Sequence, residues 1–423
     1  MGPFFWRLRK DFEDIGARVA KINFCPADTL FYPCGATTYR GTLADWPAFL
    51  EDTLSALNVD AIFLFGDCRP YHAVAREVAY RRGVELFVFE EGYLRPDYIT
   101  IERGGVNKHS SVPRNLEAFS MFEYGALSWN TQALQPRHAF LHMSVYAMVY
   151  SVVNALGGWL FPHYAHHRPL HPVREACAWV RGGFRKHWFL ARERELMKRF
   201  TAQLSGRYFL VPLQVHNDAQ VTTHSGFGSV EEFIATVVES FARYGEPRDA
   251  IVFKHHPMDR AYREYGQLMA ELTRSYGLEG RLYYVHDLHL PTLLDHARGT
   301  VVINSTAGLS SLLHGTPVIT LGDPIYNLPG LAVQGTLEQF WREPGTFDTE
   351  LHQRFRNWLL AYNQANGNFY KPLTDINSHT GVAWPTLGAE TARKLGYAGP
   401  VTIPSRVEPL TRPATQVRRS KVA

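Results

Sequence analysis

Cysteine is scarce: Cys25, Cys34, Cys68 and Cys177 are the only four in 423 residues, and no two form a CxxC pair. That excludes a disulfide-built scaffold and offers no zinc signature, so a reducing compartment is the simplest reading. Net charge is lacking too. Lys and Arg number 44 against 40 Asp and Glu, a surplus of +4 that does not suit a chain built to coat nucleic acid. Residues 1–10 are aromatic and basic with no apolar core, so no secretory signal is expected and the protein should stay in the cytosol. There is no Walker lysine and no GxGxxG string, which removes support from triphosphate and dinucleotide binding. No GxSxG elbow surrounds Ser225, so a serine hydrolase is set aside. What is abundant is apolar material: 45% of residues are hydrophobic and 20% charged, enough for two cores.

One long run lacks Asp, Glu, Lys and Arg, from residue 140 to 161, and is long enough to span a bilayer. Val145, Met148, Val149, Val152, Val153 and Leu156 recur at helical spacing, while Ser144, Ser151, Asn154 and Gly158 fall largely elsewhere on the wheel. That one-sidedness predicts a buried or surface-lying helix rather than a span, because Ser and Asn facing lipid lack partners. Residues 171–199 then carry eight basic residues against three glutamates, a local surplus above that of the whole chain. Val173, Cys177, Val180, Phe184 and Trp188 interleave at i+3/i+4 spacing, which reads either as a helix lying on anionic lipid or as a charged face over a core stripe.

Elsewhere, strand-like runs alternate with helical patterns, the signature of parallel α/β units. Strands are predicted at 18–24, 61–66 and 85–89, with helices at 4–15, 46–57 and 71–82; then strands at 208–215, 251–255, 282–285, 301–304 and 317–321. The expected fold is α/β with two Rossmann-like, doubly wound lobes. Residues 1–110 form the first lobe, 111–205 a helical, aromatic and basic insertion, and 206–345 the second lobe. Residues 346–398 hold helices crossing back, with a late helix at 351–363, and 399–423 a disordered tail.

In open parallel sheets, ligands bind beyond the carboxyl ends of the strands. Those positions are polar here: Gly66-Asp67-Cys68-Arg69-Pro70, Glu90-Glu91-Gly92-Tyr93-Leu94-Arg95-Pro96, Lys254-His255-His256-Pro257 and Asn304-Ser305-Thr306-Ala307-Gly308. The last opens a helix, so Ser305 and Thr306 either hold a phosphate or cap the helix. Lys254 and His256 can bring positive charge to the same crevice. Alternation sends Glu90 and Glu91 to opposite faces; one is expected in the crevice as base or nucleophile, or as a structural partner of Arg69 or Arg95. The His255-His256 pair makes a poor metal site for the same reason.

This combination resembles GT-B glycosyltransferases that use CMP-activated sugars. More closely, GDCRPYH (66–72), FEEGYLRPDYITIERGGVN (89–107), VPLQVHNDAQ (211–220), KHHPMDR (254–260), HDLHLPTLLDHARG (286–299) and INSTAGLSSLLHGTPVITLG (303–322) are similar to capsule polysaccharide β-Kdo transferases of the KpsS/LipB type. The likeness runs from about residue 2 to about residue 370. It implies transfer of Kdo, a keto-sugar acid, from CMP-Kdo to a lysophosphatidylglycerol-type lipid at the cytoplasmic face of the inner membrane. No metal or cofactor is expected beyond the CMP-sugar donor, and other capsule assembly proteins are expected partners. The resemblance assigns donor binding to His256 and Pro257, to Ser305 and Thr306 beside Asn304, and to Gln214 and Asp218. Lys254, Arg69 or Arg95 would meet the sugar carboxylate. Glu91 falls where related enzymes carry an acidic nucleophile, with Glu90 and Asp67 the alternatives. Family members usually begin with an apolar strand before Gly-Pro-Phe-Phe; here Met1 directly precedes Gly2-Pro3-Phe4-Phe5, so the expectation is either a start placed too far downstream or a first lobe without that strand. The rival readings are a non-catalytic scaffold of a capsule assembly or export complex and a GT-B-like nucleotide-sugar epimerase.

Overall fold

The computed structural model describes residues 2–120, 133–135, 139–166, 172–216 and 225–384. Asp218 and the tail at 399–423 lie outside them.

In the first lobe, β1 (Lys21–Asn23) and β2 (Ala36–Thr38) pair in parallel as a small sheet of their own. The main sheet holds β3 (Ala61–Phe65), β4 (Glu85–Glu91) and β5 (Tyr98–Arg103). The lobe is α/β as expected, with a main sheet that is mixed rather than wholly parallel. β3 and β4 are parallel, but β4 and β5 are antiparallel. Residues 92–97 are all that join β4 to β5, too few for a crossover, which takes a dozen or more. The helices Phe4–Asp14, Trp46–Leu57 and Pro70–Arg82 fall where helical spacing placed them. Leu86 and Val88 face the Pro70–Arg82 helix, and Phe89 faces Phe4 and Phe369 on the other side.

The second lobe is parallel throughout: β6 (Tyr208–Pro212), β7 (Ala250–Lys254), β8 (Leu282–Val285), β9 (Gly299–Val302) and β10 (Val318–Thr320) run in the order β10-β9-β6-β7-β8. The order reverses between β6 and β9, which makes their carboxyl ends the topological switch point. The late helix Thr349–Tyr362, capped by Asp348, crosses back and delivers β11 (Gln364–Asn366) to β5 as an antiparallel edge. Its Phe355, Trp358 and Leu359 share one buried cluster with Tyr93 of the first lobe, Val112 and Phe119 at the start of the insertion, and Leu309 and Tyr326 of the second lobe. An apolar core therefore welds the two lobes together.

The two long helices of the insertion are Ala139–Gly157 and Pro172–Arg192. The first reverses the usual polarity. Ser144 is buried, the Asn154 side chain accepts the Ala27 N–H at 3.0 Å, and Tyr150 lies 3.4 Å from the Cys25 sulfur. The polar side thus docks on the protein, while Val145, Met148, Val152 and Leu156 stand 40–74% exposed. Burial is not the fate of this stripe. By length and composition alone, Ala139–Leu160 is able to cross a membrane. On the second helix Val180, Phe184 and Trp188 are also exposed.

Candidate active site in the cleft between the lobes

At the switch point, the Gln214 amide donates to the Asn304 side chain at 2.9 Å and bridges the ends of β6 and β9. The Ser305 hydroxyl accepts the Ala307 N–H at 3.2 Å, so Ser305 acts as a helix cap. Its carbonyl accepts the Tyr326 hydroxyl. A side chain at Gly308 would come within 2.1 Å of that hydroxyl, so only glycine lets the turn approach Tyr326. Thr306 makes no capping bond with its side chain and instead lines an open cavity of about 270 Å³.

The strand end after β7 differs from its sequence-based description. Lys254 is buried, its ammonium donating to the His286 carbonyl at 3.2 Å, and burial lowers its pKa. His255 is buried against Tyr284, its Nδ1 2.7 Å from that hydroxyl. His256 is half-buried, and its Nδ1 accepts the Met258 N–H at 3.2 Å. Burial, with Arg95 and Lys254 nearby, pushes the His256 pKa down to about 3. It is therefore neutral at pH 7, with Nε2–H left as a donor. The expected positive charge from His256 is absent, and Lys254 is engaged elsewhere. Pro257 is exposed and opens a single 3-10 turn.

From the first lobe come the carboxylates. Glu91 accepts the Tyr370 hydroxyl at 2.9 Å on the Phe369 side of the sheet. Glu90 lies on the other side, where its Oε1 accepts the Glu91 N–H at 3.1 Å and its Oε2 comes near Gly66. Burial raises the Glu90 pKa to about 7, aided by the neighbouring Glu91 charge and opposed by Arg69 and Arg95. Arg69 stacks over the Phe65 ring at 5.1 Å, and Arg95 donates to the Gly92 carbonyl at 3.2 Å. Among the described residues no carboxylate lies within 4 Å of either guanidinium. Arg95 acts electrostatically on both Glu90 and His256, which puts it between the two lobes' contributions.

Asp67 is 1% exposed and fully engaged. It accepts from the Val106 N–H at 3.4 Å and lies 3.0 Å from His109 Nδ1 and 3.5 Å from Arg76. Asp67, Cys68 and His109 bring three ligand-type atoms within 4.8 Å of one another. The Arg76 guanidinium already supplies the positive charge there, and burial holds the Cys68 thiol protonated with a pKa of about 12. Asp67 is the hydrogen-bonded anchor of this group.

The cavity adds residues that strand-end reasoning missed: Tyr93, Asn107 and Lys108 from the first lobe, and Tyr326 and Asp323 from the second. Asn107 closes the quoted string 89–107, and Lys108 is its neighbour. Tyr326 and Tyr370 reach the site from segments with no local signal.

Comparison with known proteins gives this cleft a context. The family model described as capsule polysaccharide biosynthesis protein matches residues 60–370. The capsule polysaccharide export protein KpsS of Escherichia coli is 38% identical over 88% of this chain and 95% of its own length. The capsule polysaccharide modification protein LipB of Neisseria meningitidis serogroup A is 36% identical over 90% of this chain and 92% of its own. Among solved structures, the β-Kdo 2,7 transferase KpsC of Thermosulfurimonas dismutans aligns over 85% of this chain and 94% of its own, at 14% identity and a TM-score of 0.42. With the family model covering most of the chain and two curated relatives matched almost end to end, the protein belongs to the capsule polysaccharide biosynthesis family.

Proposed function

We propose that the protein is a retaining glycosyltransferase that moves Kdo from CMP-Kdo to a (lyso)phosphatidylglycerol-type lipid at the cytoplasmic face of the inner membrane. The observation that carries this reading is the pair of guanidinium groups, Arg69 and Arg95, without a carboxylate partner among the described residues, beside two carboxyls of unlike environment. A keto-sugar acid brings the carboxylate those cations lack. Glu91 attacks the anomeric carbon as the bond to the CMP phosphate breaks, and the phosphate leaves toward Thr306 and His256 Nε2–H. The acceptor hydroxyl releases its proton to solvent. That oxygen then attacks the same carbon, and the Glu91 ester bond breaks. Two displacements at one centre retain its configuration.

The acceptor side rests on the insertion. Two adjacent exposed apolar faces, flanked by exposed Arg174, Arg181 and Lys186, suit a surface of anionic lipid. Docking of the Ala139–Gly157 helix through its polar side favours lying on the bilayer over crossing it. Incubation with CMP-Kdo and lysophosphatidylglycerol, followed by mass spectrometry, should reveal a Kdo-lipid. Absence of product from protein shown to be folded favours a non-catalytic scaffold instead.

A further inference from the structure

We infer that Lys108 is a second-side ligand for the donor's phosphate, presented across the cleft from the first lobe by a loop strapped down at both ends. This deepens the proposed transferase reading and rests on it. The cavity of about 270 Å³ is walled by Tyr93, Asn107 and Lys108 on one side and by Asn304, Thr306 and Tyr326 on the other. Among the described residues that line it, Lys108 is the only cation. No carboxylate among the described residues lies within 4 Å of its ammonium, while Asp323 in the same wall is paired with Arg114 at 3.3 Å.

The loop from Gly104 to Ser111 is held by two buried acids. Asp67 takes the Val106 N–H and His109 at one end. Glu102, 3% exposed, accepts the Ser110 hydroxyl at 2.6 Å and the Ser111 N–H at 3.0 Å at the other. Between them Asn107 takes a left-handed backbone, φ 57°, with its N–H donated to the Tyr93 hydroxyl at 2.9 Å. Tyr93 is itself packed in the core that welds the lobes. A side chain at Gly105 would meet His109 Cβ at 2.4 Å, so the turn admits no larger residue. The outcome is an exposed lysine on a rigid support facing a cavity that also presents Thr306. From the second lobe the cavity is lined by the neutral groups of Ser225, Asn304, Thr306 and Tyr326, and by Asp323, whose charge is paired with Arg114. A developing phosphate dianion needs a cation there, and Lys108 provides it; charge placed where charge develops is effective in a water-poor site. The buried Asp67 is thereby a positioning residue, which accounts for a carboxylate with no free oxygen beside the catalytic strand ends.

The test is calorimetry with the full chain, comparing CMP and cytidine. Lys108→Ala should weaken CMP about tenfold or more while leaving cytidine unchanged, and Lys108→Arg should keep CMP within about threefold of wild type. Equal CMP affinity in wild type and Lys108→Ala overturns the assignment of Lys108 alone. Equal loss of CMP and cytidine also overturns it, because that marks a structural effect. A wild-type protein that binds neither ligand overturns the transferase reading itself.

Discussion

At the strand ends of the second lobe the polar groups are satisfied from within: Gln214 locks Asn304, Ser305 caps its helix, Lys254 bonds a carbonyl and His256 is neutral. At the strand ends of the first lobe two guanidinium groups stand without a carboxylate partner among the described residues, next to the half-buried Glu90, whose pKa is near neutral. The strand ends of the parallel lobe are tied down by internal hydrogen bonds, suited to holding a ligand. The mixed lobe stores unbalanced charge, suited to reacting with one. Arg95 is exposed and Arg69 and Glu90 are half-buried, so these groups stay open to a ligand.

The sharpest way to break this contrast is to neutralise one first-lobe carboxylate. Glu91→Gln should lower transfer by about three orders of magnitude or more, since an amide keeps the shape but forms no ester, while CMP affinity by calorimetry stays within a few fold. An active variant would sink the assignment. Next in size is membrane binding. Reversal of Arg174, Arg181 and Lys186 to Glu should release the protein from anionic vesicles in flotation, at about 1 kcal/mol for each cation removed and more for each reversed. Arg185, in contrast, donates to the Arg260 carbonyl at 2.8 Å and pairs with Glu264 at 3.3 Å, so its loss tests folding rather than lipid. Extraction that resists both salt and alkali would point to a span at Ala139–Leu160.

A subtler pair separates the two hydroxyls of the donor turn. Thr306→Val should weaken CMP about tenfold, whereas Ser305→Ala should cost about 1 kcal/mol of stability with little change in affinity. Reversed outcomes would move the phosphate to Ser305. The smallest effect expected is on stability against pH. Folded Glu90 has a pKa near 7, above the unfolded value of 4.5, so the folded state binds the extra proton. Its contribution is present below pH 4.5 and lost as pH rises through about 7. His256 acts in the opposite window, with stability lost as pH falls from 6.5 through about 3. Denaturant midpoints of Glu90→Gln should therefore decline less between pH 5 and 8 than those of wild type, by an amount on the order of the linkage slope for one proton.

How much of this was legible in sequence differs between the lobes for the same physical reason. Strands buried on both faces are continuous apolar runs, so Phe209-Leu210-Val211 and Ile251-Val252-Phe253 announce themselves. β5 was hidden behind the short link containing Pro96, and antiparallel return needs no crossover helix to signal it. β11, Gln-Ala-Asn, has no strand propensity; it is held by tertiary contact, including the Gln364 amide on the Thr100 hydroxyl at 2.9 Å. Periodicity located the apolar stripe of the Ala139–Gly157 helix, but a stripe does not say whether it meets core or surroundings, and here the polar side took the core. In the site, the strand-end rule found Glu90, Glu91, Arg69, Arg95 and Thr306. It could not assign charge, because the neutrality of His256 and the turning away of Lys254 depend on burial. Tyr370, which bonds Glu91 across 279 positions of chain, lies beyond any local pattern.

The central claim, that the first lobe supplies the reacting carboxylate and the second only holds the donor, is tested most directly by trapping the intermediate. Protein denatured during turnover with CMP-Kdo and digested should yield one peptide carrying a Kdo ester, and fragmentation should place it on Glu91. An ester on Asp67, or on any residue of the second lobe, would contradict the account.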